Sequence, residues 1–234
     1  MRRALAIFAK VPVAGLVKTR LASVLTAEGA AALYRGFLVD TVALALKVRR
    51  CQIHLFYTPR EALSVLQDML KQPVELLPQS SGDLGSRMNG VFRDLFTKSF
   101  KSIILIGGDL PTLPLNRLTM AFSALERRDV VLGPSVDGGY YLIGLRAPQP
   151  ELFEGVAWST NQVLGQTIER VHRLGLEVQC LEPWYDVDTI EGLGFLVSHL
   201  RLLLACRCPD LPRQTVDVLH QLGLLRGGAE EIAS

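Results

Sequence analysis

Short apolar runs alternate along this chain with stretches whose apolar positions recur every three or four residues. The runs are Leu5 to Ala9, Gln52 to Tyr57, Val74 to Leu77, Ser102 to Ile106, Val130 to Leu132 and Glu177 to Leu181. Runs this short, separated by helical periodicity, predict βαβ units and a mostly parallel sheet. Between them, Thr26 is placed to cap a helix running to about Val48, and Pro59 suits the first turn of the next one, which ends before Pro73. After Thr160, the positions Leu164, Ile168 and Val171 predict one buried helical face. One stretch breaks the alternation: Asp137-Gly138-Gly139 is a tight-turn signal, and Tyr140 to Leu145 has strand composition. The chain is therefore expected to reverse there into an antiparallel strand, giving a mixed sheet. From Asp186 onward the pattern predicts a helix through Leu204, another from Arg213 to Leu222, and a frayed polar tail. No linker or repeat interrupts the pattern, so the expectation is one domain over 1–234, with a core at 3–204, helices at 205–225 and the tail at 226–234.

Composition agrees with a packed protein: 234 residues, 49% of them hydrophobic, supply a sizeable core. Net charge is only +2 and the basic residues are scattered, which argues against nucleic acid or a membrane surface as partner. The opening apolar run, Ala4 to Ala9, is too short for a signal peptide and reads as a first strand, so a cytoplasmic protein is expected. The segment Gly194 to Ala205 is the most lipid-like, but Ser198, His199 and Arg201 interrupt it and it falls short of the roughly 20 residues of a membrane span. It reads as a buried helix. The four cysteines have neither disulfide-framework density nor paired zinc-site spacing, and Cys206-Arg207-Cys208 lacks a second pair.

Candidate chemistry gathers in the turns that follow the strands. Gly107-Gly108-Asp109 ends the apolar run Ser102 to Ile106 and delivers a carboxylate to the edge of the sheet, where open α/β folds bind ligands. The bland alternative is an Asp capping the helix that starts near Leu115. The loop from Lys10 to Arg20, with Gly15 and Lys18, follows the first strand and sets three cations near a Pro/Gly turn, as a phosphate chain requires. It is not a Walker A loop, because the glycine spacing is wrong. Asp188, in Trp184-Tyr185-Asp186-Val187-Asp188-Thr189, either caps the next helix or joins Asp109 in binding a divalent cation, with Asp186 in its place or beside it. Asp83, in Gly82-Asp83-Leu84-Gly85-Ser86-Arg87-Met88, opens a helix and either caps it or accepts hydrogen bonds from a base. Asp137 and Trp158-Ser159-Thr160 are candidates for an acceptor side.

These segments together resemble a known family. Phe8 to Leu21, Gly82 to Met88, Gly107 to Thr112, Gly133 to Tyr141 and Asp186 to Thr189, in that order, resemble the bacterial DUF2064 family of GT-A-fold transferases, some of which are labelled arsenosugar-biosynthesis glycosyltransferases. The resemblance runs from Arg3 to Leu204. It implies membership of the nucleotide-diphospho-sugar transferase superfamily, beside molybdenum-cofactor and phospholactate guanylyltransferases. The implied fold is α/β, a Rossmann-like α/β/α sandwich with a mixed, mostly parallel sheet. By the same resemblance Lys10, Lys18 and Arg20 match the phosphate-contacting loop, with Gly15 and Gly108 beside the phosphates. Asp83 matches the base-side helix start, and Asp109 and Asp188 match ligands of Mg²⁺ or Mn²⁺. Asp109, Lys18 and Asp137 are the candidate catalytic groups. Many glycosyltransferases of this fold carry Asp-x-Asp, whereas the position two after Asp109 is Pro111.

The expected activity is therefore metal-dependent transfer from a nucleotide-activated donor, glycosyl transfer from a nucleotide diphosphate sugar to a small acceptor being the first reading. Nucleotidyl transfer from a nucleoside triphosphate to a phosphorylated small molecule is the second, and a non-catalytic nucleotide-binding protein the third. The sequence does not fix base, sugar, acceptor or oligomeric state.

Overall fold

Every apolar run forms a strand. In the computed structural model, which describes residues 2–225, they are β1 (Arg3–Lys10), β2 (Cys51–Thr58), β3 (Glu75–Pro78), β4 (Ser102–Gly107), β5 (Val130–Pro134), β6 (Tyr140–Leu145) and β7 (Val178–Cys180). They build a seven-stranded sheet in the order β3-β2-β1-β4-β6-β5-β7. Only β6 runs against the rest, pairing antiparallel with both β4 and β5, as the Asp-Gly-Gly turn predicts. The helices are α1 (Ala27–Leu46), α2 (Leu63–Met69), α3 (Leu84–Thr97), α4 (Leu115–Ala124), α5 (Val163–Arg173), α6 (Ile190–Ala205) and α7 (Arg213–Gln221). The fold is α/β, with helices flanking a mixed, mostly parallel sheet.

The chain divides into two compact units. The first holds the segments up to Val11, Val42–Gly108 and Leu113–Tyr185, and so the whole sheet. The second holds Pro12–Thr41, Asp109–Thr112 and the chain from Asp186 onward.

In the first unit, strand alternation sends side chains to two faces. Ala4 and Ala6 of β1, Ile103 and Leu105 of β4, Val130 and Leu132 of β5 and Ile143 and Leu145 of β6 pack with Met88, Val91, Phe92 and Leu95 of α3. Phe92 stacks on Phe153 at 5.6 Å between ring centroids. On the opposite face, Leu5, Ile7, Ile104 and Ile106 are fully buried. There Leu125, just past α4, lies so close to Gly144 that a Cβ on the glycine would stand 3.1 Å from it.

In the second unit, Thr26 caps α1 as expected, accepting from Gly29 N at 3.0 Å. Helix α7 has a proline at its N-cap and takes its cap from outside: the Asp40 carboxylate accepts from Gln214 N at 3.2 Å and Thr215 N at 2.7 Å. These are N–H groups of a first helical turn, which have no partner within the helix.

Two expectations change. Ile168 is 36% exposed, and the buried face of α5 is formed by Val163, Thr167 and Val171. Thr167 is tolerated there because its hydroxyl donates to Val163 O at 2.8 Å, which removes the cost of a buried hydroxyl. Helix α6 is not buried throughout: Leu193, Leu196 and Leu200 are covered, whereas Phe195 and Leu202 are 57% and 60% exposed. Among the described residues the helix long and apolar enough to cross a membrane is α1, and 67% of its apolar window is buried within the protein. The polar tail at 226–234 lies outside the described residues.

Candidate functional site

The order of strands fixes where ligands are expected. The chain runs outward from β1 through β2 to β3 and then returns to the other side of β1 for β4, so the connections reverse between β1 and β4. Ligands of open α/β sheets bind outside the carboxyl ends of strands at such a point. Phe8 of β1 lies opposite Gly107 of β4. The two loops that leave these ends enter the second unit, one at Pro12 and the other at Asp109.

Within the second unit, Lys18, Asp109, Asp186 and Asp188 come together. Lys18 Nζ donates to Asp109 Oδ2 at 2.8 Å and makes a short contact with Asp188 Oδ1. One carboxylate oxygen from each of Asp109, Asp186 and Asp188 lies within 4.8 Å of the others. The Lys18 side chain is only 4% exposed, while those of Asp109 and Asp188 are 23% and 46% exposed. Its ammonium also faces the rings of Tyr34, 5.3 Å from the centroid, and Phe37, at 6.0 Å. Burial alone depresses the pKa of a lysine, but the carboxylates of Asp109 and Asp188 more than offset it. The group is held above the ordinary lysine range and stays charged.

Local structure explains how Lys18 reaches this position. Gly15 has φ 79°, open to glycine at no steric cost, and the basic loop turns there. Lys18 itself sits in the left-handed region, φ 49° and ψ 36°, immediately before the short 3₁₀ turn Thr19–Leu21. Left-handed backbone at a lysine is unfavourable and marks a position held by its surroundings. Arg20 lies in that turn and is exposed.

The helix-cap alternatives for both aspartates fall away. Helix α4 has Pro114 at its N-cap, and α6 is capped by Thr189, whose hydroxyl accepts from Gly192 N at 3.2 Å. The three carboxylates offer hard oxygen donors alone, the donor set that suits Mg²⁺ or Mn²⁺. The residues therefore fit the divalent cation that the fold family implies.

The other candidate residues lie in the first unit. Lys10 ends β1 and is exposed, and Gly108 follows β4. Asp83 is the N-cap of α3 and accepts from Ser86 N at 2.7 Å, which depresses its pKa. Asp137 accepts from Gly139 N at 2.9 Å across the turn between β5 and β6. Trp158 packs over the start of α3, where a Cβ on Gly85 would stand 2.4 Å from its Nε1.

Sequence reading missed the contribution of Gln79. Its side-chain amide donates to Ala9 O at 3.0 Å and Phe56 O at 2.9 Å, and its Oε1 accepts from Arg87 Nε at 3.0 Å. The ends of β1 and β2 are thereby tied to α3. Nothing in the spacing of a lone glutamine signals this.

Comparisons with known proteins agree with the fold. The family model described as "Uncharacterized protein conserved in bacteria (DUF2064)" matches residues 41–160. A candidate nucleotide-diphospho-sugar transferase from Desulfovibrio desulfuricans is 31% identical, with 94% of this chain and 98% of that one covered and a TM-score of 0.84. The 2-phospho-L-lactate guanylyltransferase of Methanothermobacter thermautotrophicus is 26% identical over 190 residues, 78% of this chain and 79% of the relative. Rv0371c of Mycobacterium tuberculosis, solved in complex with manganese, shares the fold at 15% identity and a TM-score of 0.51, covering 84% of this chain and 97% of its own. The matched span contains Asp83, Asp109 and Asp137 but neither Lys18 nor Asp188. The chain belongs to the DUF2064 family.

Proposed function

We propose that this protein is a metal-dependent transferase acting on a nucleotide-activated substrate, and that the reaction is nucleotidyl transfer. The observation that carries the first part is the buried Lys18 ammonium clamped by Asp109 and Asp188, with Asp186 beside them. Such a constellation offers ligands to a cation and a positive charge to phosphates. Asp109, Asp186 and Asp188 would hold Mg²⁺ or Mn²⁺, which when bound supplies charge neutralisation and Lewis acidity to a polyphosphate leaving group. Lys18 adds a fixed positive charge against phosphate oxygens, with Arg20 and the Gly15 turn completing the loop. The same reading assigns Lys10 and Gly108 to the phosphates, Asp83 to the base and Asp137 to the acceptor.

Two observations favour nucleotidyl transfer over the sugar transfer expected from the family resemblance. The guanylyltransferase likeness covers more than three quarters of both chains, and Pro111 removes the Asp-x-Asp pair common among glycosyltransferases of this fold. An oxygen of a phosphorylated small acceptor would attack the α-phosphorus of a nucleoside triphosphate. The bond from that phosphorus to the β-phosphate bridging oxygen breaks, and pyrophosphate leaves. Sugar transfer is the second reading, favoured by the likeness to the Desulfovibrio protein.

The products separate the two. With Mn²⁺, nucleoside triphosphates and a panel of phosphorylated hydroxy acids and sugars, we expect pyrophosphate release that Asp109→Asn lowers at least a hundredfold. Release of nucleoside diphosphate from a nucleotide sugar, with no pyrophosphate from any triphosphate, would establish sugar transfer instead.

A further inference from the structure

Lys18 holds two of the three carboxylates placed to bind a divalent cation. Its Nζ donates to Asp109 Oδ2 at 2.8 Å and contacts Asp188 Oδ1, and the three candidate ligand oxygens lie within 4.8 Å of one another. An ammonium and a divalent cation sharing these oxygens repel strongly at such separations. The side chain is 4% exposed and its ammonium is flanked by the Tyr34 and Phe37 rings. Moving it off the carboxylates without a replacement anion would leave a buried charge uncompensated, a costly state. A polyphosphate supplies that replacement.

We propose that Lys18 makes cation entry conditional on a phosphate-bearing ligand. The bare cation competes with the Lys18 ammonium for Asp109 and Asp188 and loses. When a polyphosphate arrives, Lys18 transfers its hydrogen bonds to phosphate oxygens and gives up its hold on both carboxylates. Cation and polyphosphate then bind with positive coupling, each raising the affinity of the other by the same factor, as linkage requires. The ligand class that satisfies the site is a metal-chelating di- or triphosphate rather than a monoanionic group. This inference rests on the assignment of Asp109, Asp186 and Asp188 to a cation.

The test is Mn²⁺ affinity in phosphate-free buffer, read from the electron paramagnetic resonance of free Mn²⁺, for the wild type, Lys18→Met and Lys18→Gln. Far-ultraviolet circular dichroism and melting temperature check folding, and Gln keeps hydrogen-bond donors should Met fail to fold. The expected result is unusual for a residue assigned to ligand binding: removing Lys18 tightens bare Mn²⁺ binding at least tenfold, and adding Asp109→Asn to either variant abolishes the gain. Measured against protein-free controls that account for chelation of Mn²⁺ by pyrophosphate itself, inorganic pyrophosphate should raise the affinity of the wild type for Mn²⁺ by a similar factor and much less that of the variants. Equal or weaker Mn²⁺ binding in the folded Lys18 variants would overturn the inference. If the wild type with pyrophosphate still binds Mn²⁺ through Asp109 in that case, the cation assignment stands without it. No Asp109-dependent Mn²⁺ binding under any of these conditions would overturn both.

Discussion

At the scale of single residues, a charged group is informative where its neighbours leave it no bland role. Asp109 and Asp188 each stand near the start of a helix, and either is a reasonable cap by sequence. The caps are Pro114 and Thr189, and both carboxylates instead meet Lys18. His54 is the contrasting case, a buried titratable group with a structural role. Its ring is 2% exposed, its Nδ1 lies 2.8 Å from Glu75 Oε2, and it meets Phe100 edge-on at 5.3 Å. Burial lowers its pKa most, Lys98 and Arg2 act in the same direction, and Glu75 opposes them without prevailing. The unfolded chain therefore takes up this proton first as pH falls. The contribution of the neutral ring is whole above about 6.5, the ordinary histidine value, and is lost as pH drops through that value toward the folded one. Melting temperatures of the wild type and His54→Gln, followed from pH 7.5 to 5, should converge on acidification. A constant difference would show that His54 does not titrate with unfolding.

Elements were legible where periodicity and punctuation agreed. Each strand run and the reversal at Asp137-Gly138-Gly139 could be read from alternation, apolar runs and turn residues. The faces of helices were harder, because a helix face is chosen by what covers it. Ile168 sits at a helical spacing from Leu164 and Val171, yet Thr167 takes the buried position once its hydroxyl is satisfied locally. The start of α3 shows a constraint that spacing does not carry. A Cβ at Gly85 would lie 2.4 Å from Trp158 Nε1 and 2.6 Å from Phe153 O, and a backbone oxygen cannot swing aside. Gly85→Ala gains about 1 kcal/mol in helix propensity, but the clash, of order 1–3 kcal/mol or more for overpacking, should outweigh it. Chemical denaturation should show a net loss of stability with unchanged m-value. Trp158→Phe in the same background should recover part of that loss. A Gly85→Ala variant as stable as the wild type would mean that the helix start is free to shift.

For the whole molecule, the order β3-β2-β1-β4-β6-β5-β7 places the reversal of connections between β1 and β4. The sequence suggested each half of the constellation, a basic loop after one strand and an acidic turn after another. It did not show that Lys18 meets Asp188 across a separation of 170 residues, nor that Asp186 and Asp188 both belong. Contacts that distant depend on how the chain is threaded, which local patterns do not encode. The base-side and acceptor-side assignments rest on the resemblance and on single residues such as Asp83 and Asp137. The proposed nucleotidyl transfer rests on likeness to a guanylyltransferase and on Pro111, and the product released tests it.

The proposed role of Asp109, with Asp186 and Asp188, is to bind a divalent cation together with the phosphates of a nucleotide. Titration calorimetry of a nucleoside triphosphate panel, with and without Mn²⁺, measures this directly when wild type and Asp109→Asn are compared. At least one triphosphate should bind tenfold or more tightly when Mn²⁺ is present, and Asp109→Asn should remove this gain while the melting temperature of the free protein changes little. An undiminished Mn²⁺-dependent gain in Asp109→Asn would contradict it.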